Sequence, residues 1–264
     1  GRNGPGTGPA AFRAADPCVL RACIPGGAWD IGAAMDHPLP DAAAFRDAET
    51  GLVMALPKGR ILKELTPLLA KAGLHPEPDF SSESSRKLRF ATSHPGLDVI
   101  RVRSFDVATF VAFGAAQIGV CGADVLMEHD YPEIYAPLDL RIGACRVSVA
   151  EPVERAATDD PSRWSTVTVA TKYPRIAARH FAARGVQAEI VHLNGAMELA
   201  PSMGLSRLIV DLVQTGGTLK ANGLVETEVI APVTSRLIVN RTALKTEPEA
   251  IGAWIARLRA ALEG

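Results

Sequence analysis

From Leu52 onward the chain alternates short apolar runs with segments of helical period, and that alternation leaves few architectures open. Residues 52–56 (LVMAL) have the length and composition of a buried strand. Ile61, Leu62, Leu65, Leu68 and Leu69 then recur at helical spacing and stop at Gly73. The same reading predicts strands over 88–91, 99–102, 118–121, 145–150, 167–171, 189–193, 208–211, 224–232 and 237–240. Helices are expected around Val107, Phe110 and Val111, over 176–184, and over 251–262 as a closing amphipathic segment. Strand and helix in turn imply an α/β fold with mainly parallel sheets.

Bulk properties exclude several function classes. The 264 residues are 47% hydrophobic and 22% charged, with a formal net charge of -1. A globular body of this size buries roughly 70–75% of its unfolded surface and needs no covalent staples. Near-neutral charge speaks against a nucleic-acid-coating protein, and no apolar run approaches the roughly 20 residues that span a bilayer. Cys18, Cys23, Cys121 and Cys145 form no CxxC pair, and the six histidines lack ligand spacing. Neither a disulfide framework nor a metal site is expected, and a reducing cytoplasmic setting fits. Residues 1–50, rich in glycine, proline and alanine, read as a disordered N-terminal extension, with Met35 a plausible natural start and no signal-peptide pattern before it.

The stretch DLVQTGGTLKANGL (211–224) is the most informative. An apolar trio, Leu208-Ile209-Val210, runs into Asp211 and then into two glycines flanked by threonines. At the carboxyl end of a parallel strand, loop amides and the next helix N-terminus attract phosphate. Gly216 and Gly217 have no Cβ to keep an anion away, and Thr215 and Thr218 add hydroxyl donors. Asp211 would repel a bare phosphate, but it suits a ligand that also carries sugar hydroxyls or a magnesium ion. A sugar phosphate satisfies both. Glu198, after the preceding strand, could accept ribose hydroxyls or simply complement a helix dipole. Lys58-Gly59-Arg60 leaves the first strand, where arginine can grip a polyphosphate bidentately and lysine acts as a point charge. Arg86-Lys87, Arg101, Arg103, Asp124 and Lys172 also fall near strand ends, where α/β sheets bind their ligands.

Taken in order, ALPKGRIL (55–62), SRKLRF (85–90), GVCGADVLMEH (119–129), GACRVSVA (143–150), VATKYP (169–174), LNGAMELAPSMGL (193–205) and IVDLVQTGGTLKANGL (209–224) resemble the ATP phosphoribosyltransferase family of histidine biosynthesis. The resemblance covers essentially all of 52–264. It implies a two-lobed α/β fold of the type II periplasmic-binding-protein kind with the active site between the lobes. Lobe I would combine 51–144 with 235–264, and lobe II, the PRPP-binding lobe, would be 145–234. The chain ends after one helix, as short-form members do. That form implies a homodimer and a hetero-oligomer with a histidyl-tRNA-synthetase-like regulatory subunit.

The implied reaction is ATP plus phosphoribosyl pyrophosphate (PRPP) giving N1-(5-phosphoribosyl)-ATP plus pyrophosphate. By the same resemblance, Asp211, Thr215, Gly216, Gly217 and Thr218 hold the PRPP ribose and 5-phosphate, with Glu198 on the ribose. Arg60 and Arg86 neutralise the departing pyrophosphate. Lys58, Gly59, Arg103, Asp124 and Lys172 contact pyrophosphate or ATP. Magnesium is held mainly by substrate phosphates, as that ion usually is. Two positions depart from the family pattern: Gln117 replaces a common aspartate, and Arg207 stands where an acid is frequent. Both are expected to affect surface or packing, although Arg207, near the anion loop, could also alter PRPP affinity. A non-catalytic solute-binding module shares the architecture; two separate polyanion grips and the lack of an export-signal pattern weigh against it. No GxxxxGK[ST] supports a P-loop NTPase.

Overall fold

A computed structural model describes residues 51–82 and 84–264. The expectation of a disordered 1–50 extension lies outside the described residues, as do Cys18, Cys23 and Met35.

Two sheets organise the chain. The first contains β1 (Leu52–Pro57), β2 (Arg89–Ala91), β3 (Leu97–Val102), β4 (Ile118–Gly122), β5 (Ile134–Asp139) and β11 (Ser235–Asn240), in the order β2-β3-β1-β4-β11-β5. The second contains β6 (Cys145–Pro152), β7 (Thr166–Thr171), β8 (Gln187–His192), β9 (Leu208–Val213) and β10 (Leu224–Val233), in the order β10-β6-β9-β7-β8. The helices are α1 (Arg60–Lys71), α2 (Ser104–Ala112), α3 (Ala123–His129), α4 (Val153–Ala156), α5 (Pro174–Ala182), α6 (Gly217–Ala221), α7 (Arg241–Thr246) and α8 (Pro248–Glu263).

β1 is buried along its whole length because it lies between β3 and β4 and has a core on each face. Its side chains alternate between those cores. Leu52, Met54 and Leu56 join Leu65, Leu69, Phe90 and Trp254, whereas Val53 and Ala55 join Val107, Val111 and Ile238. That double burial explains an uninterrupted apolar run in the sequence. α2 lies so close to β4 that a Cβ at Gly119 would stand 2.8 Å from Val111 Cγ2 and 2.9 Å from Val107 Cγ1. The second sheet repeats the plan, with Val147, Val169 and Phe181 on one face and Ala150, Ile209 and Leu219 on the other.

The sheets are more mixed than the alternation predicts. β1 pairs parallel with β3 and β4, and β7 with β8 and β9. β2, β10 and β11 run antiparallel to their neighbours, as does β6. The cause is the route of the chain, which passes from β5 into β6 and returns from β10 into β11. These four strands pair two by two across both sheets. Between them the crossings lie side by side: the Leu140 N–H donates to Ser235 O at 2.9 Å, and the Ser235 N–H to Ile142 O at 2.9 Å. Thr234 Oγ1 donates to Asp139 Oδ1 at 2.8 Å, and the Ala123 N–H to Thr234 O at 3.0 Å. β5 was not foreseen; Pro137 weakens its strand signal, and an edge strand is where proline is tolerated.

Gln117 is a structural residue, 2% exposed. Its Oε1 accepts the Val53 N–H at 2.7 Å and its Nε2 donates to Gly114 O at 3.2 Å, so it closes the β1–β4 junction with both ends of the amide. An aspartate could not donate to Gly114. Gln117→Ala is expected to destabilise the fold by about 1–3 kcal/mol, the cost of leaving a buried amide unpaired. Urea unfolding checks this; an unchanged midpoint would contradict it.

Candidate active site

The turn at the start of α1 is where three clefts meet. Lys58 is fixed by its backbone N–H to Val102 O at 2.9 Å. Gly59 follows with φ 88° and ψ -144°, a conformation open to glycine and strained for other residues. This places Lys58 and Arg60 on different sides of the helix entrance. Lys58 borders two clefts and Arg60 a third.

The third cleft, of about 230 Å³, is lined by Arg60, Glu198, Asp211, Thr215, Gly216, Gly217 and Thr218, among others. All but Arg60 come from the second sheet's lobe, so the cleft lies between lobes. Gly216 enters α6 with φ 77°. Among the described residues, the amides of Thr215, Gly216 and Thr218 have no hydrogen-bond partner, and the Gly217 N–H reaches only Thr215 Oγ1 at 3.4 Å. These open donors suit an anion. α6 itself has five residues, so the turn's amides, rather than a long helix dipole, supply the attraction.

Asp211 corrects a detail of the sequence reading. β9 does not end at Asp211 but continues to Val213, and the Asp211 side chain faces the cleft from within the strand. Burial pushes its carboxyl up to about 6, and the nearby Glu198 charge adds to this, while the Leu212 amide and Lys172 oppose it. The Leu212 N–H donates to Asp211 Oδ1 at 2.7 Å. Two acids in one cleft repel each other; sugar hydroxyls or a cation between them would relieve that repulsion.

Arg60 joins the lobes. It donates to the Gln214 side chain beyond β9 and pairs with Glu64 at 3.6 Å. Glu64 in turn accepts the Gly143 N–H of the lobe crossing at 2.7 Å. Arg146, from β6, donates to Gln214 O at 3.1 Å. Gln214, which lines this cleft, and Arg146, which holds its carbonyl, were missed in the sequence, since nothing local marks either.

The second cleft, of about 680 Å³, is also lined from both lobes, by Lys58, Arg103, Phe105, His129, Lys172 and His192, among others. Lys58, Arg103 and Lys172 outnumber the acids Asp106 and Glu128 in its lining, and with the N-terminus of α2 they favour polyphosphate. Lys172 Nζ sits 4.0 Å from the centroid of the Phe105 ring, which belongs to α2.

The first cleft, of about 420 Å³, has an apolar wall of Leu62 and Phe80 beside Lys58, Gly59, Ser85 and Arg101. Arg101 is not an open cation. It is 8% exposed and donates to the carbonyls of Phe80 (2.6 Å), Ser82 (3.0 Å) and Ser85 (3.3 Å), clamping that loop. Arg86 is exposed in the same loop and lines none of the three clefts.

Two further residues stand elsewhere than the open cleft walls. Asp124 is 5% exposed, and its Oδ2 accepts the Tyr173 hydroxyl at 2.8 Å across the lobe boundary. Burial raises its carboxyl above the usual carboxylate range. Arg207 is not beside the anion loop. It lies before β9, roughly 20 Å along the strand from Val213 at about 3.3 Å per residue. There it pairs with Asp159 and covers the Trp164 ring at 5.1 Å. Among the described residues no group of three or more His, Cys, Asp or Glu side chains is placed to hold a metal ion, and no helix is long and apolar enough to cross a membrane.

Comparison with known proteins shows the family and the fold. The HisG family model, described as ATP phosphoribosyltransferase, matches residues 103–260. The ATP phosphoribosyltransferase of Paramagnetospirillum magneticum is 70% identical over 213 residues, covering 81% of this chain and 97% of that protein. That of Rhodospirillum rubrum is 66% identical over 218 residues, covering 83% and 96%. Among solved structures, the ATP phosphoribosyl transferase (HisG:HisZ) complex from Thermotoga maritima superposes with a TM-score of 0.68 at 32% identity, covering 80% of this chain and 98% of that one. The fold is therefore the two-lobed type II periplasmic-binding-protein-like one, and the chain belongs to the ATP phosphoribosyltransferase family.

Proposed function

We propose that the inter-lobe clefts transfer the phosphoribosyl group of PRPP to N1 of ATP, releasing pyrophosphate, as the first step of histidine biosynthesis. One observation carries the reading in detail: the open-amide turn 215–218, the acids Asp211 and Glu198, and Arg60 line the same cleft. The 5-phosphate sits on the amides of 215–218 and the hydroxyls of Thr215 and Thr218. Asp211 and Glu198 accept the ribose hydroxyls. Arg60, with Arg86 acting from its loop, balances the charge that grows on the departing pyrophosphate. Lys58, Gly59, Arg103 and Lys172 take the remaining phosphates, and Asp124 serves that region through Tyr173. Adenine N1 already has a lone pair, so the site's task is alignment and charge stabilisation. Magnesium would be held mainly by substrate phosphates, with Asp211 available to it, and would supply further charge neutralisation.

The partner reading draws on the Thermotoga maritima complex, which is one of HisG with HisZ. By that likeness the chain works as the catalytic subunit of a hetero-oligomer with a histidyl-tRNA-synthetase-like regulatory subunit, built on a homodimer in the cytoplasm. Mixing ATP, PRPP and magnesium should give measurable phosphoribosyl-ATP with the chain alone and faster turnover with the partner. No product with the partner present would overturn the assignment. Thr218→Val is expected to weaken PRPP binding by about tenfold, the loss of one hydrogen bond to a charged group; unchanged affinity in calorimetry would remove Thr218 from the phosphate.

A further inference from the structure

α5 has no cap of its own. Its N-cap residue, Tyr173, makes no side-chain capping bond, and Pro174 opens the helix. The cap comes instead from the other lobe. Glu128, on α3 and 3% exposed, accepts the Arg175 N–H on Oε1 at 2.9 Å and the Ile176 N–H on Oε2 at 3.0 Å. Both carboxylate oxygens are thus spent on first-turn amides that would otherwise lack partners, at the end of the helix that favours negative charge. α5 answers with Arg175, which donates to His129 O at 2.8 Å, and Arg179, which donates to Met127 O. One turn earlier on α3, Asp124 accepts the Tyr173 hydroxyl.

These bonds close around Lys172. On one side, Thr171 Oγ1 donates to Val210 O at 2.6 Å and accepts the Tyr173 N–H at 2.8 Å. On the other side, Tyr173, Arg175 and Ile176 are tied to α3. Lys172 is held between fixed neighbours and directed onto Phe105 at the polyphosphate cleft. We infer that Glu128 is a positioning residue for phosphoribosyl transfer: by capping α5 across the lobe boundary it sets Lys172 in the cleft when the lobes are docked. The inference rests on the proposed role of Lys172 in binding phosphates.

Glu128→Gln keeps the volume but offers one acceptor oxygen where two amides need one each, and it removes the charge. Its effect should pass through Lys172, and a double-mutant cycle with Lys172→Met reads that coupling. In the complex with the regulatory subunit, Glu128→Gln is expected to lower kcat/KM for ATP by about 5- to 30-fold in the otherwise unaltered protein, the scale of a lost helix cap. In the Lys172→Met background it should lower it by less than about twofold. Equal losses in both backgrounds, or no loss in the first, would overturn the inference. If Lys172→Met alone leaves kcat/KM unchanged, the assignment of Lys172 to the phosphates fails instead, so the two failures are distinguishable. Thermal unfolding of each variant shows whether it is folded. Should Glu128→Gln not fold, Tyr173→Phe deletes only the hydroxyl bonded to Asp124, and its loss of kcat/KM must likewise shrink in the Lys172→Met background; an undiminished loss counts against the inference.

Discussion

Arg60→Ala is expected to slow the single-turnover chemical step by about two to three orders of magnitude, the scale measured when one donor to a developing anion is deleted. Arg60 is the lobe I side chain that lines the 230 Å³ cleft with the 215–218 turn. Pyrophosphate gains charge as its bond to ribose C1 breaks, so a cation there lowers the transition state more than the bound substrate. Arg60→Lys should recover part of the rate, because it keeps the charge and loses the fork. The loss should not come from a broken fold, since Glu64 retains its bond to Gly143 without Arg60. Rapid-quench measurements with saturating substrates check this, and a single-turnover rate within threefold of the original would remove Arg60 from the leaving group.

The second large effect has opposite signs for stability and binding. The Asp211 carboxyl is raised by burial from 3.8 to about 6. Between those values the native chain keeps a proton that the unfolded chain releases, so stability falls as pH rises through the window and the deficit is complete above it. A gap of about two units corresponds to about 3 kcal/mol at most. Asp211→Asn carries no charge and should therefore stabilise the unliganded protein by about 1–3 kcal/mol at pH 8 and by little at pH 4. The same substitution should weaken PRPP binding about tenfold or more, through loss of a charged acceptor for sugar hydroxyls. A site that holds an uncomfortable acid for its ligand trades stability for function. Urea unfolding at the two pH values, with calorimetric titration of PRPP, decides the matter. A gain that does not grow with pH, or an unaltered affinity, would refute it.

What the sequence makes legible follows from range. Strands buried on both faces are visible as apolar runs, and the Thr-Gly-Gly-Thr turn is visible because only a few residue types allow that backbone. Residues that share this turn's cleft from neighbouring strand exits, such as Glu198, can be placed by the general habit of α/β sheets. What stays hidden depends on partners distant in the chain. Arg101 reads as one more cation near a strand end, yet its guanidinium is used up by three carbonyls over 80–85. Arg207 reads as a neighbour of the anion loop because it is close in sequence, whereas a six-residue strand carries it away. Asp124 and Glu128 offered a signal that went unused: acids four apart share one helix face, and that face meets α5.

The place of β11 has a consequence for the order of synthesis. This strand lies between β4 and β5, and Ile251, Trp254 and Leu258 of α8 complete the core beneath them. On the ribosome, the lobe that contains β1 must wait for residues 235–264, with an open slot in its sheet, while 145–233 has all its strands and can close earlier. The nascent chain therefore exposes the unpaired edges of β4 and β5 while the whole of 145–233 is made, and it is β11 that seals them.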